Sequence, residues 1–375
     1  MIYFDSGATT LEKPRTVRNA MARAVNTMSS PGRGSHQATR LAEETDYACR
    51  TAAAKLFGVE DESNVIFTSN ATHGLNIAIH TLVCSGSRVV ISGYEHNAVT
   101  RPLHAIPNVT LTVLDTPPFQ PERMVEELKT ALAQGADVVI CNHVSNVFGC
   151  VQPVEEMAAL CAEAGVPFLL DASQSAGILP VRMDALHAAF IAMPGHKGLY
   201  GPQGTGLLLC GHPVTPLLYG GTGSLSKLQT MPEVLPDRLE SGTHNMPGIA
   251  GLLEGIRYVQ RTGVETIAAH ERRLTAQAVS LLRHTEGLRL FWQEGFRHQT
   301  GVLSFVVEGV DCEELGEAMA RQGVALRAGL HCAPLAHRTV GTLKTGTVRF
   351  SPSAFNTPAQ VVQFAQILQT TLRKM

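Results

Sequence analysis

The sequence predicts an α/β protein: a large domain with a mostly parallel central sheet sandwiched by helices, and a smaller α+β domain towards the C-terminal end. Three observations point there. Apolar runs at 65–68, 89–91, 138–141, 168–171, 190–193 and 206–210 have the length and content of strands buried on both faces. Helical patterns alternate with the earlier runs, which favours parallel strands joined by crossover helices. After Gly223 the alternation stops, and a long helical stretch is followed by strand, helix, strand, strand and helix. The boundaries expected are 15–255 for the large domain, and 1–14 with 256–375 for the small one.

In chain order, residues 1–13 form a short lead-in with turn-forming Asp5 to Thr10. Pro14 suits the start of a helix that runs to about 28. The cluster Ser29-Ser30-Pro31-Gly32-Arg33-Gly34 breaks it. A helix over 38–57 places Leu41, Thr45, Ala48, Ala52 and Leu56 on one face at three-to-four spacing. Then come a strand at 65–68, a helix at 74–82, a strand at 89–91 and a helix after His96. A strand at 110–114, a helix at 122–133, a strand at 138–141 and a helix at 154–164 continue the alternation. The strands at 168–171, 190–193 and 206–210 follow. A loop reaches about 240, and one long helical region spans 246–286. The last segment has strands at 302–307, 324–327 and 347–351, helices at 312–322 and from 358, and the N-terminal segment is expected beside it.

Composition narrows the class. The chain has 375 residues, 44% of them hydrophobic and 17% charged, enough for a sizeable core. A net charge of -2 gives no electrostatic reason to expect nucleic acid or an anionic membrane as a partner. No apolar run has the length of a membrane span, and the first residues lack the pattern of a signal peptide. The eight cysteines, at 49, 84, 141, 150, 161, 210, 312 and 332, form no C-x-x-C pair. They read as reduced thiols of a cytoplasmic protein rather than a disulfide framework or a metal site. The histidines also lack ligand spacing such as H-E-x-x-H, so no metal is expected.

The chemistry is read from two adjacent strands. The apolar run 168–170 stops at Asp171, at the carboxyl end where open α/β sheets place ligands. The run 188–193 stops just before His196 and Lys197, in a glycine-rich turn. An acid and an amine at one sheet edge suit pyridoxal phosphate (PLP). It needs a lysine for its Schiff base and an acid beside its pyridine nitrogen to keep the ring protonated and electron-withdrawing.

The chain resembles the class V aminotransferases of PLP fold type I, and within them the branch of cysteine desulfurases and selenocysteine lyases. The resemblance rests on Tyr3-Phe4-Asp5-Ser6-Gly7-Ala8-Thr9-Thr10, Ser69-Asn70-Ala71-Thr72-His73-Gly74-Leu75-Asn76, Glu95-His96-Asn97, Ser145-Asn146 and Asp171-Ala172-Ser173-Gln174. It continues in Gly195-His196-Lys197, Glu240-Ser241-Gly242-Thr243-His244-Asn245, Arg327-Ala328-Gly329-Leu330-His331-Cys332-Ala333 and Val348-Arg349-Phe350.

The resemblance implies a role for each match. Lys197 would carry PLP and move protons once released. Asp171 would pair with the ring nitrogen, and His96 would lie over the ring and act as acid or base. Gln174 and Asn146 would bond the phenolic oxygen or position the substrate. The amides of Thr72 and His73 at a helix N-terminus would take the phosphate, with His196 as a further donor. Thr243 would reach the phosphate from the partner subunit, which implies a homodimer with shared active sites. Arg349, with Arg327 as a second candidate, would fork the carboxylate of an amino acid substrate, L-cysteine or L-selenocysteine. Cys332 would attack the substrate's sulfur, its thiolate favoured by neighbouring His331, and pass it to a sulfur or selenium acceptor protein.

Desulfuration of cysteine is the reading implied first. Selenocysteine lyase activity, another PLP reaction (aminotransfer, β-elimination or epimerisation) and a non-catalytic sulfur-relay scaffold are the alternatives. Ala71, Pro194 and Ser6-Gly7 depart from the family's pattern. Pro194 offers neither hydroxyl nor N–H where a Ser or Thr is usual, so a rearranged or weaker phosphate grip is expected.

Overall fold

The computed structural model describes residues 1–32 and 34–375; of the break expected at 29–34, Arg33 lies outside the described residues. The chain runs β1 (Ile2–Tyr3), α1 (Arg15–Thr27), α2 (Gln37–Phe57), β2 (Val65–Thr68), α3 (Ala71–Leu82), β3 (Arg88–Ser92), α4 (Asn97–Ala105), β4 (Thr110–Leu114), α5 (Pro121–Gln134), β5 (Val138–Asn142), α6 (Val154–Glu163), β6 (Phe168–Asp171), α7 (Met183–Leu186), β7 (Phe190–Pro194) and β8 (Gly206–Cys210). It continues with α8 (Met246–Thr262), α9 (Val264–Leu282), β9 (Leu288–Phe291), β10 (Leu303–Val307), α10 (Cys312–Arg321), β11 (Val324–Ala325), β12 (Arg327–Gly329), α11 (Pro334–Val340), β13 (Thr347–Phe350) and α12 (Pro358–Leu372).

The α/β reading holds. Seven strands form one sheet in the order β2-β8-β7-β6-β5-β3-β4. The β3–β4, β3–β5, β5–β6 and β6–β7 pairs are parallel, and β8 alone runs against its neighbours β2 and β7. Every residue of β5, β6, β7 and β8 is buried, as expected of strands covered on both faces. Alternation divides them between two cores: Val139, Leu170, Ile191 and Leu209 pack with α2, α5, α6 and α8, while Ile140, Leu169, Phe190 and Leu208 pack with α3 and α4.

The smaller sheet is antiparallel, in the order β12-β13-β10-β9. Its core joins Phe305 and Phe350 to Leu274 on α9, Leu315 on α10 and Phe364 on α12. The N-terminal segment belongs to this core. β1 pairs in parallel with β11, and the Phe4 ring lies 4.3 Å from that of Phe350 and 5.7 Å from that of Phe364. Among the described residues, no helix is long and apolar enough to cross a membrane.

Several expected elements differ. The buried face of α2 is Ala42, Cys49, Ala53 and Phe57, next to the stripe read from the sequence, whose members are half-buried. Three of the four, Ala42, Cys49 and Ala53, are small and share one buried cluster with residues of α8, although less apolar than Leu41 or Leu56. The long helix at 246–286 is two helices, because Gly263 adopts φ 87, outside helical space. The strand at 324–327 is split: β11 pairs with β1, and β12 leaves for the other sheet to pair with β13. The strand β9 and the helix α11 were not anticipated, and α3 begins at Ala71 rather than 74 because Asn70 caps it.

Candidate active site

The strand order reverses between β3 and β5, and the crevice at the carboxyl ends of the strands there is where such sheets bind ligands. A cavity of about 210 Å³ lies at this edge, lined by Thr72, His96, Asn146, Asp171, Gln174, His196 and Lys197. These seven expected residues come together from the ends of β2, β3, β5, β6 and β7. Thr72 lies in the first turn of α3, and the other six stand at or shortly after the carboxyl end of their strand.

Lys197 follows β7 in a turn that cannot spread. A Cβ at Gly195 would meet Thr205 Oγ1 at 2.2 Å, and one at Gly255 on α8 would meet the Leu199 carbonyl at 2.2 Å. The carbonyl of His196, the residue before it, accepts from Thr10 N–H (3.1 Å), Thr10 Oγ1 (3.0 Å) and Lys13 Nζ (3.0 Å). Burial pushes the Lys197 amine down to about 8, with Asp171 opposing that shift and Arg349 adding to it. Asp171 is buried and accepts from Ser173 N–H at 2.9 Å.

His96 caps α4. Ala98 N–H donates to its Nδ1 at 3.0 Å, so the neutral ring carries its proton on Nε2. Burial lowers its pKa, against the pull of Asp171. His196 Nδ1 lies 3.0 Å from Thr9 Oγ1, and its pKa is lowered to about 4, first by burial and then by Lys197 and Lys13. A neutral ring there donates one hydrogen bond, not a charge.

The N-terminus of α3 differs from expectation in detail. His73 N–H is taken by Asn70 Oδ1 at 2.9 Å, and the His73 side chain lines a separate cavity with Thr243. The amides of Ala71 and Thr72 have no acceptor among the described residues. Thr243 is exposed and does not line its own chain's Lys197 cavity. Its segment is held by Glu240, which accepts from buried Arg50 at 2.8 Å and from Phe67 N–H at 2.6 Å.

The two arginines are not free. Arg327 donates from Nε to both oxygens of Asp5 (3.1 and 3.0 Å) and from Nη2 to Oδ2 (2.8 Å). Buried Arg349 donates to Asp5 Oδ1 (3.0 Å) and to the Asn146 carbonyl (2.9 Å), and its Nε has no partner among the described residues. Asp5 was not picked out from the sequence as a site residue. Its signal was the need of two nearby guanidiniums for a counter-charge, and that need shows only once the fold joins them.

Cys332 is exposed, on a turn between β12 and α11. Both His331 (φ 51) and Cys332 (φ 56) adopt left-handed backbone, which costs non-glycine residues of order 1 kcal/mol or more each and occurs where surrounding contacts enforce it. Here Asn97 N–H donates to the Cys332 carbonyl at 2.7 Å, and Asn146 Nδ2 to the His331 carbonyl at 2.7 Å. The expected help from His331 is not available as a cation. Its ring is buried, 3.1 Å from Thr347 O, and burial holds its pKa well below the usual value.

The donor set fits PLP: an amine shifted towards neutrality, a buried carboxylate on the neighbouring strand, two free amides at a helix N-terminus, and an unpaired buried Asn146 Oδ1 among the residues lining the cavity. In this structure the amide donors of Asn146 and Gln174 go to the His331 and Gly7 carbonyls (2.7 and 2.9 Å).

Comparison with known proteins agrees. The family model for aminotransferase class-V matches residues 2–364. A probable cysteine desulfurase of Mycolicibacterium paratuberculosis is 31% identical over 382 residues, covering 98% of this chain and 55% of its own length. The probable cysteine desulfurase 2 of Mycobacterium leprae is 31% identical, with 96% and 89% covered. The chain spans 55%, 62% and 58% of the length of three of the curated relatives that it matches. Among solved structures, an apo cysteine desulfurase of Thermococcus onnurineus NA1 superimposes with a TM-score of 0.90 at 29% identity, covering 100% of this chain and 95% of that one. The fold is that of solved cysteine desulfurases. The chain belongs to the aminotransferase class-V family, whose members use PLP.

Proposed function

We propose that the chain is a PLP-dependent cysteine desulfurase-like enzyme that converts L-cysteine to L-alanine and leaves the sulfur as a persulfide on Cys332. The observation that carries this reading is the placement of Cys332. Its thiol is exposed, yet its backbone is tied to Asn97, the residue after the cavity-lining His96. The printed names of relatives near 30% identity support it.

When bound, PLP supplies the electron sink that weakens bonds at the substrate's α-carbon. Lys197 would hold it covalently, Asp171 would pair with its ring nitrogen, and the Ala71 and Thr72 amides would take its phosphate. The Lys197 amine, at about 8, exchanges a proton readily near neutral pH, so it suits removing the α-proton and returning it. His96 offers Nε2–H to the cavity. The unpaired Nε of Arg349 is a donor for the substrate's carboxylate. The Cys332 thiolate attacks the substrate's sulfur. A sulfur–sulfur bond forms as the carbon–sulfur bond breaks, the two sulfurs are oxidised, and the carbon keeps the electron pair and gains a proton to become alanine's methyl group. In the same reading Thr243 serves the partner's site in a homodimer, and an acceptor protein must come to Cys332, because the turn is pinned at two carbonyls.

The test quantifies alanine and sulfide together from L-cysteine and a reductant, for wild type and Cys332→Ala. Equal amounts of both, lost in the variant while the absorbance of lysine-bound PLP persists, are expected. Sulfide with pyruvate would replace the reading by β-elimination. Full activity of the variant would remove Cys332 from the mechanism. Products from L-selenocysteine alone would make the chain a selenocysteine lyase. Lys197→Ala is expected to lose the absorbance band itself.

A further inference from the structure

Next to the crevice cavity, with Gln174 and Lys197 in both walls, lies a much smaller cavity of about 30 Å³, bounded also by Ser6, Tyr200, Glu271 and Thr300. Its volume is enough to admit water, and a buried water needs two to four polar partners. Partners are present. Ser6 Oγ is buried and has no partner among the described residues. Glu271, on α9, is buried with no cation in ion-pair range among the described residues. Its Oε1 lies 3.5 Å from Tyr200 Oη, whose own lone pair is used by Ala354 N–H at 3.0 Å. Space for the carboxyl comes from Gly301, where a Cβ would meet Glu271 Cβ at 2.7 Å. A carboxyl in such surroundings keeps its proton, and burial raises its pKa to about 8. It is therefore a hydrogen-bond donor.

We propose that this cavity binds one ordered water, and that Glu271 acts through it as a positioning residue for Lys197. The Glu271 O–H donates to the water, Ser6 Oγ takes one of its hydrogens, and the other is directed at the lone pair of Lys197 Nζ. The chain of donors favours the neutral amine, because an ammonium has no lone pair to accept it. It joins α9 of the smaller unit to the turn after β7, so it also fixes where the amine rests when it is not bonded to PLP. The inference rests on Lys197 being the residue that takes PLP.

Other titratable groups bear on both ends. Tyr200 and Tyr258 face Glu271. Asp171, Asp5, Arg327, Arg349, His96 and His196 interact electrostatically with Lys197. None of these is altered in Glu271→Gln, Glu271→Leu or Ser6→Ala.

The test follows, by absorbance against pH, the rate at which PLP joins the apo form of the full chain, a measure of the neutral fraction of Lys197. Crystal structures of the same proteins locate the water. Gln can still donate to the water, so Glu271→Gln is expected to keep both the water and the midpoint. Glu271→Leu is expected to lose the water and to move the midpoint up by about one pH unit, slowing the reaction near pH 7 about tenfold. Ser6→Ala is expected to move it the same way by less, and it decides the matter with Glu271→Gln if the leucine variant does not fold. Equal midpoints in all variants, or a wild-type structure without the water, would overturn the inference. Failure of wild type to bind PLP at all would instead overturn the reading of Lys197.

Discussion

Asp5 is the carboxylate on which two guanidiniums converge, one of them buried. Burial lowers the pKa of Arg349, and Asp5 is the opposing charge. Removing one partner of a buried pair leaves the other charge uncompensated, at a cost of about 3–5 kcal/mol. Asp5→Ala is therefore expected to lower the urea unfolding midpoint sharply, and Arg349→Met in the same chain to recover part of the loss. Gly7 has a related constraint, since a Cβ there would sit 3.1 Å from Arg349 Cζ. The departure from the family pattern at this position thus has a steric counterpart. At this scale, Lys197 and Asp171 were legible at the cavity because each stands at or just past the end of an apolar strand, whereas His96 was read only through the resemblance. Asp5 was not, because its partner Arg327 is 322 residues away. The buried Glu95 and Glu271 were also missed as acids with no cation in ion-pair range among the described residues, since nothing in a sequence shows which acids lack a partner.

The turn that carries Cys332 depends on the first turn of α4. Asn97 is the first residue of that helix, where proline is well tolerated, and His96 before it is already extended at φ -74, ψ 156, as a residue preceding proline should be. Asn97→Pro is therefore expected to keep the helix, with a stability change of about 1 kcal/mol, while deleting the N–H that holds the Cys332 carbonyl. Single-turnover formation of the Cys332 persulfide is expected to slow several-fold, while the PLP absorbance is unchanged. An unaltered rate would show that the tie does not place the thiol. Elements of this kind were only partly legible. The strands of the large sheet announced themselves as apolar runs. The short helix α11 did not, because seven residues give too little periodicity. β9 (Leu288-Arg289-Leu290-Phe291) is one edge strand four residues long, and β11 and β12 read as one strand because only their partners separate them.

Across the whole molecule, the buried titratable groups set a pH dependence. Burial holds His143, His196 and His337 at about 4, against 6.5 when exposed. The unfolded chain binds more protons than the folded one in that window, so these groups make stability rise with pH from about 4 to 6.5. Glu95 and Glu271 act in the opposite direction. Each is raised to about 8 from 4.5, so between those values the folded chain holds protons that the unfolded chain has released, and stability falls as pH rises. Below 6.5 the two sets oppose each other, and above 6.5 the histidines drop out. Unfolding free energy of the PLP-free chain is therefore expected to peak near pH 6.5 and to fall by on the order of 4 kcal/mol by pH 8. Urea titrations at several pH values check this. Glu95→Gln, whose side chain can still accept from Ser92 Oγ and Asn142 N–H as Glu95 Oε1 does at 2.5 and 2.7 Å, is expected to remove about half of that falling limb. If the limb were unchanged in Glu95→Gln, the proton held at neutral pH would lie elsewhere than on the carboxyl behind Asp171.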